Sequence, residues 1–212
     1  IDRLAREGAL FENVISTAPW TIPAHGSMFT GLYPFQHQAT WETLRLKAGI
    51  PTIFDIFTER GYAALAVSAN SLIVSPYSMF GKKTKILGQA VNNDPDVSSF
   101  AKDFDYRNTD SQSIAGCIIR YLDEHPQNAP QIMYLNFYDL HAKYKAREPF
   151  YSRFVNAAQD KTLKAIGDFY TLHFKEMNDE LEVTPEMISA LRASYTARLA
   201  MIDSDIGRVF EK

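Results

Sequence analysis

The sequence predicts an α/β fold in which a mostly parallel sheet is flanked by helices. Residues 52–60 space their apolar side chains at helical intervals, and Gly61 follows as a C-terminal stop. Residues 63–68 form a short apolar run that predicts a buried strand, and residues 131–138 predict another. A helix, a glycine and a strand in that order are typical of parallel α/β units.

The other predicted elements follow in chain order. Helices are expected at 2–8, from Pro23 to Gly31, at 111–125, in pieces over 148–180, and over 185–211 behind Thr184-Pro185, and a further strand is expected at 9–15. Residues 70–109 predict a long irregular excursion, within which we interpret lysines 82, 83 and 85 as a solvated loop. No repeat or linker divides the chain, so we expect one domain.

Composition and charge exclude several classes of protein. The 212 residues are 46% apolar, as in an ordinary globular core, and the formal charge of -3 gives no reason to expect nucleic acid. The single cysteine, Cys117, excludes an internal disulfide and is interpreted as a core residue. No apolar run reaches about 18 residues, so no membrane span is predicted. Nothing demands an oxidising compartment, which slightly favours a soluble cytoplasmic protein. The compartment and the oligomeric state stay open.

The stretch from residue 18 to residue 34 carries the strongest functional signal. Thr21 stands two residues before Pro23 and four before His25, and proline is favoured at the start of a helix. We therefore expect Thr21 at or just before a helix N-terminus, where backbone amides and the helix dipole favour anions. Two interpretations remain. Thr21 is either a nucleophile that attacks a sulfate or phosphate ester, or a residue that only caps the helix.

Ordered blocks along the chain resemble the sulfatase family of the alkaline phosphatase superfamily. Residues 4–13 resemble the family's opening block, and Thr30-Gly-Leu-Tyr-Pro34 matches its Thr-Gly-x-Tyr-Pro ending. Residues 134–144 resemble the family's strand followed by Asp-x-His-x-x-Tyr, and residues 193–207 resemble its long helix before the last metal-binding strand. The resemblance implies an alkaline-phosphatase-like three-layer sandwich with a mostly parallel central sheet flanked by helices.

The resemblance also implies that residues 1–212 are part of a single sulfatase-like catalytic domain. The family's N-terminal Asp-Asp strand and its C-terminal Asp-His-Gly strand, which bind the metal, have no counterpart in this sequence. A divalent metal (Ca, Mn or Zn) is implied for the complete protein, with Thr21 as a bridging ligand. The chain taken alone is expected to be inactive because the other ligands are absent from it.

The first motif departs from the family pattern of Cys-x-Pro-Ser-Arg. Thr21 replaces the residue that is oxidised to formylglycine, and only Pro23 of the pattern's core is kept. A secondary alcohol does not give that aldehyde, whereas an alcohol activated by a metal can attack phosphorus. Ala24 and His25 replace the family's Ser and Arg. His25 either hydrogen-bonds an ester oxygen or caps its own loop.

Further candidate residues follow the other predicted strands. His141 matches the Asp-x-His-x-x-Tyr block, and the resemblance implies a general acid or an anion donor. Lys143, in the same block, either contacts the anion or is a surface lysine, and Asp139 is expected to hold the loop. Asn70, which follows another strand, could donate an N–H to an oxyanion.

Three functional hypotheses result. The first is a metal-dependent hydrolase that cleaves a small anionic sulfuric, phosphoric or phosphonic ester through Thr21, phosphodiesters included. The second is a catalytically silent relative that binds an anionic ligand, which the replacements Ala24 and His25 favour. A plain structural α/β domain ranks last, because it explains neither the ordered blocks nor the Thr21 loop.

Overall fold

The computed structural model describes residues 1–68, 70, 72–74, 79–81, 83–88, 110–125, 129–141, 146–167 and 169–212. The chain divides into two compact units. The first comprises residues 1–109, 113–136 and 212, and the second comprises residues 110–112 and 137–211. That the chain is part of one domain remains a prediction.

The first unit contains a parallel sheet, as the sequence predicts. Its strands in the described residues are β1 (Ala63–Ser68), β2 (Lys85–Gly88) and β3 (Gln131–Asn136), and β1 lies between the other two. The register places Ala66 of β1 beside Tyr134 of β3, and Ser68 beside Asn136. The last residues of β1 and β3, Ser68 and Asn136, therefore lie side by side at the carboxyl end of the sheet.

The middle strand is buried on both faces. Ala64 and Ala66 lie on one face and Leu65 and Val67 on the other, and all four are at most 4% exposed. Because successive side chains of a strand point to opposite faces, both faces of β1 are covered. The Ala64 face contacts an apolar cluster that also contains Ile22, Phe29, Phe54, Phe80 and Ile86, with Ile132 and Tyr134 packed against it.

Helices contribute Ile22, Phe29 and Phe54 to that cluster. Those preceding β1 in the chain are α1 (Asp2–Glu7), α2 (Thr21–Thr30), α3 (Pro34–His37) and α4 (Ile53–Glu59). Helix α2 ends at Gly31, whose φ of 70° suits glycine because a side chain would be strained there. Helix α4 is capped by Thr52, whose hydroxyl accepts the Asp55 N–H at 3.3 Å. Helix α5 (Ser111–Glu124) precedes β3 and buries Ile114 and Ile118 at helical spacing.

The second unit is helical in its described residues. It contains α6 (Phe150–Phe154), α7 (Ala157–Ile166), α8 (Phe169–Met177) and the long α9 (Pro185–Phe210). Helix α9 begins as predicted: Thr184 caps it by accepting the Met187 N–H at 3.3 Å, and proline takes the first position. Ala197 and Met201 of α9 pack with Ala146 and Val155 in a small apolar core.

Three sequence predictions need correction. Residues 9–15 do not form a strand: they pair with no strand of the described residues, and Phe11 and Ile15 are 77% and 92% exposed. A strand forms only where a neighbour takes up its backbone hydrogen bonds, which a local pattern does not reveal. Lys85 opens strand β2 instead of lying in a loop. Helix α2 begins two residues before Pro23, at Thr21.

No helix of the described part of the chain is long and apolar enough to cross a membrane.

Candidate functional site

Thr21 is the first residue of helix α2. The capping position belongs to Trp20, which makes no side-chain capping bond, so Thr21 does not cap the helix. The Thr21 hydroxyl makes no hydrogen bond to any described residue, and the side chain is half-buried. Its position therefore leaves the hydroxyl available to a ligand at the positive end of the helix dipole.

Pro23 suits the third position of this helix. The first backbone N–H groups of a helix have no acceptor within it, so a proline there removes no hydrogen bond of the helix. The N–H groups of Thr21 and Ile22 remain as donors at the same end. The local sequence thus places a hydroxyl and two amide donors at one helix terminus, where an anion is stabilised.

His25 lies one turn into α2 and both of its ring nitrogens have partners. Its Nδ1 is 2.7 Å from the Thr21 carbonyl oxygen, and its Nε2 is 2.8 Å from the Tyr134 hydroxyl. Burial lowers the pKa of His25, although the bond to the Thr21 carbonyl opposes this, so the ring is neutral at pH 7. Because a carbonyl only accepts, Nδ1 carries the proton and Nε2 accepts the Tyr134 O–H.

Tyr134 continues the chain of hydrogen bonds into the sheet. Burial raises the pKa of the Tyr134 hydroxyl above its usual range, against the opposing effect of the Asn136 side chain, so the phenol keeps its proton. The Ser68 hydroxyl donates to Asn136 Oδ1 at 2.9 Å, and the Asn70 N–H donates to Ser68 Oγ at 3.0 Å. One set of bonds therefore connects β3 to the start of α2, and a second set connects the carboxyl ends of β1 and β3.

Asn70 shapes the turn after β1. Its side-chain oxygen accepts the Leu72 N–H at 3.0 Å, and its carbonyl accepts the Ile73 N–H at 3.0 Å. This is the local pattern by which an asparagine stabilises a turn. The oxygen of the Asn70 side chain is thus used within the loop, which leaves its amide N–H groups for the oxyanion contact expected from the sequence.

In the second unit, Asp139 holds the loop after β3, as expected. Its carboxylate is buried, accepts the Ser111 N–H at 3.0 Å and lies 3.5 Å from Arg198 Nη2. Arg198 also donates from Nε to the Asp139 carbonyl at 2.9 Å. Burial raises the pKa of Asp139, against the opposing effects of Ser111 and Arg198. A side chain with these partners is a support for the loop.

His141 is exposed at the end of the same loop. Its ring stacks on Tyr138 with centroids 4.5 Å apart, and its Nδ1 is 3.4 Å from the Tyr170 hydroxyl. The side chain is thus oriented by two tyrosines and remains accessible to solvent. Lys143 lies outside the described residues.

The structure joins Thr21 and His25 by a hydrogen bond and places Asn70 in a separate hydrogen-bonded set, both within the first unit. His141 belongs to the second unit. Sequence analysis missed Tyr134, Asn136 and Ser68, which take part in these two sets. Their signal was present as polar side chains at alternate positions of otherwise apolar strands.

The described residues do not by themselves fit a metal ion. Among them, no group of three or more His, Cys, Asp or Glu side chains lies close enough to hold one. Thr21 offers one neutral hydroxyl, whereas Ca²⁺ and Mg²⁺ take several oxygen ligands, carboxylates among them, and Zn²⁺ takes about four ligands. The expected role of Thr21 as a metal ligand therefore requires ligands from outside this set.

Comparisons with known proteins agree with the fold. The phosphonate monoester hydrolase of Agrobacterium radiobacter aligns with a TM-score of 0.58 and 18% identity over 92% of this chain and 50% of its own. A candidate sulfatase of Bacteroides fragilis aligns with a TM-score of 0.56 and 17% identity over 99% of this chain and 51% of its own. The chain spans about half the length of these structures, and at such identity the likeness shows the fold.

No curated relative matches the chain significantly. The family model described as Sulfatase matches residues 1–212. Since that match covers every residue of the sequence, the chain belongs to the sulfatase family.

Proposed function

We propose that the full-length protein containing this chain hydrolyses a small anionic ester of sulfuric, phosphoric or phosphonic acid. Thr21 Oγ attacks in line, the bond from sulfur or phosphorus to the ester oxygen breaks, and water then releases the acid from Thr21. A secondary hydroxyl that attacks directly favours phosphorus over sulfur, and phosphate diesters are included in the proposal. The phosphonate monoester hydrolase with a similar fold supports this preference.

One observation carries the proposal. The Thr21 hydroxyl stands at the N-terminus of α2 without a hydrogen bond to the described residues, and it does not cap the helix. A threonine kept only for capping would direct its oxygen to a backbone N–H of the first turn, as Thr52 and Thr184 do. A Thr21 hydroxyl without such a bond supports a role in contacting a bound molecule.

The remaining site residues take proposed roles. His141, exposed and oriented by Tyr138 and Tyr170, gives a proton to the leaving oxygen or hydrogen-bonds the anion. Asn70 and Lys143 contact the substrate. His25 acts on catalysis through its hydrogen bond to the Thr21 carbonyl.

Members of the sulfatase family generally use divalent metals. We propose that the full-length protein depends on Ca, Mn or Zn, with Thr21 as one ligand. A bound metal would lower the pKa of the attacking hydroxyl. The remaining ligands would come from outside the described residues.

A second candidate function is a silent relative that binds an anionic ligand. Ala24 and His25 replace the Ser and Arg of the family pattern, and both ring nitrogens of His25 are engaged within the protein. Such a protein would bind sulfate, phosphate or their esters at the α2 terminus and hydrolyse none of them.

The deciding experiment uses the full-length protein supplied with divalent metal. Turnover is measured on matched aryl sulfate, aryl phosphate, aryl phosphate diester and aryl phosphonate substrates, with Thr21→Ala as the test variant. Thr17→Ala, an exposed threonine of the same loop, is the control. Phosphoryl or phosphonyl turnover that Thr21→Ala abolishes and Thr17→Ala keeps supports the proposal. Turnover that survives Thr21→Ala refutes it, and binding of phosphate without any turnover favours the silent relative.

A further inference from the structure

We propose that Tyr134 and His25 form a positioning pair that holds Thr21 in place beside strand β3. The inference rests on the proposed function, because a held nucleophile matters only if Thr21 attacks. It adds Tyr134 as a residue that acts without touching the substrate, and it gives His25 a role through Thr21.

The first step of the path is the bond in which the Tyr134 hydroxyl donates to His25 Nε2 at 2.8 Å. Tyr134 belongs to β3 and His25 belongs to α2, so this bond links the sheet to the helix. A separate pair of bonds, in which the Asn70 N–H donates to Ser68 and the Ser68 hydroxyl donates to Asn136 Oδ1, links the ends of β1 and β3.

The path ends on the residue that it would position. His25 Nδ1–H donates to the Thr21 carbonyl at 2.7 Å. Terminal residues of helices fray readily, and Thr21 is the first residue of α2. The two hydrogen bonds that run from Tyr134 of β3 through His25 to the Thr21 carbonyl restrain the residue that carries the hydroxyl. Such restraint matters because displacement of a reacting group by about 1 Å costs about a hundredfold in rate.

Packing alone does not require the Tyr134 hydroxyl. The Tyr134 ring meets Phe29 edge-on at 5.1 Å and Phe80 at 5.6 Å, contacts that a phenylalanine would also make. Burying a hydroxyl costs free energy unless it is bonded. The hydroxyl at this position is therefore explained by its hydrogen bond to His25 Nε2, 2.8 Å away.

The pair also restricts what His25 can do. With Nδ1 bonded to Thr21 and Nε2 bonded to Tyr134, His25 has no ring nitrogen left for an ester oxygen. His25 is thus a positioning residue, and the N–H groups and hydroxyl at the start of α2 face the anion instead.

The first test measures steady-state kinetics of the full-length protein. Tyr134→Phe keeps the ring and removes the hydroxyl, and we expect kcat to fall about tenfold with KM changed less than about twofold. Tyr62→Phe, whose ring packs edge-on against Phe57 and takes no part in the path, is the matched control. The double variant His25→Ala with Tyr134→Phe should be no slower than His25→Ala alone, since both residues act through one bond. Additive losses, or an unchanged kcat in Tyr134→Phe, overturn the proposal.

The second test needs no turnover. In ¹⁵N-histidine-labelled protein, the His25 signal, assigned by its loss in His25→Gln, should show the proton on Nδ1 at pH 7. A proton on Nε2 overturns the pair whether or not the protein is an enzyme. Absence of turnover on every ester refutes the proposed function and the catalytic value of the pair, while the His25 signal still decides whether the bond path exists. A cooperative thermal transition above the assay temperature confirms that Tyr134→Phe is folded.

Discussion

Gly26 of helix α2 lies directly against the imidazole ring of His37. A Cβ atom added to Gly26 would come within 2.7 Å of His37 Cε1 and 3.0 Å of both ring nitrogens. His37 is fully buried, accepts the Ala39 N–H at Nδ1 and lies 3.1 Å from Ser27 Oγ through Nε2. His37 is therefore an internal support for helix α2.

Replacing Gly26 should destabilise the first unit. Gly26→Ala forces the His37 ring out of its bonds, and we expect the free energy of unfolding to fall by about 2 kcal/mol, as for other overpacked sites. Gly116→Ala in helix α5 is the control. There an added Cβ meets no atom of the described residues within 4 Å, so alanine should stabilise the helix by about 0.5 kcal/mol. Urea denaturation measures both, and equal stability of Gly26→Ala and wild type would contradict the close packing.

Stability should fall as the pH is lowered through the range where the unfolded His37 titrates. Burial lowers the pKa of His37 below 6.5, so the unfolded chain binds more protons than the folded one just below that pH. The contribution of neutral His37 is complete above about pH 6.5 and is lost as the pH falls toward the folded pKa. Burial lowers the pKa of His25 too, and its contribution has the same sign.

The measurement is the free energy of unfolding at pH 7.5 and pH 5.5 in wild type and His37→Asn. Asparagine keeps an acceptor for the Ala39 N–H and removes the titration. The loss of stability between the two pH values should be smaller in the variant. Asp139, whose raised pKa acts in the opposite direction above pH 3.8, is present in both proteins and cancels in the difference. An identical pH dependence would show that His37 does not contribute.

A buried carboxylate should support the second unit. Asp205 of α9 is fully buried, with Arg147 Nη2 at 2.9 Å, Ser111 Oγ at 2.6 Å and Arg208 Nη1 at 3.4 Å. Asp205→Ala leaves Arg147 without its partner, and we expect a loss of about 3 kcal/mol. Lys164→Ala, which breaks an exposed pair with Asp160, should cost less than about 1 kcal/mol. Thermal unfolding that ranks the two variants equally would contradict this difference.

The cap of helix α4 offers a fourth prediction. Thr52 accepts the Asp55 N–H, and its own N–H donates to the Asp55 carboxylate at 2.9 Å. Thr52→Ala should reduce stability by about 1 kcal/mol. Thr162→Ala is the matched control, because that hydroxyl only bonds the Ala158 carbonyl within helix α7 and alanine is the better helix former. The prediction fails if chemical denaturation finds both variants within about 0.3 kcal/mol of each other.

Local chemistry determined much of the fold from the sequence alone. The run 63–68 is apolar at every position before Ser68, and such runs predict strands buried on both faces. Thr184-Pro185 predicts a helix start because the hydroxyl and the ring each suit one position of its first turn. Gly31 predicts the end of α2 for an equally local reason, its positive φ.

The pairing of distant residues was decided only by the tertiary structure. The register that sets Ser68 beside Asn136, and the packing that sets Tyr134 against His25, join residues far apart in the chain. Residues 9–15 show the reverse case, because a strand-like pattern stays unpaired among the described residues without a neighbour to accept its bonds. The sequence determined which side chains can form hydrogen bonds. Only the tertiary structure decided which of them meet, because hydrogen bonds between strands and helices depend on register and packing that no local pattern contains.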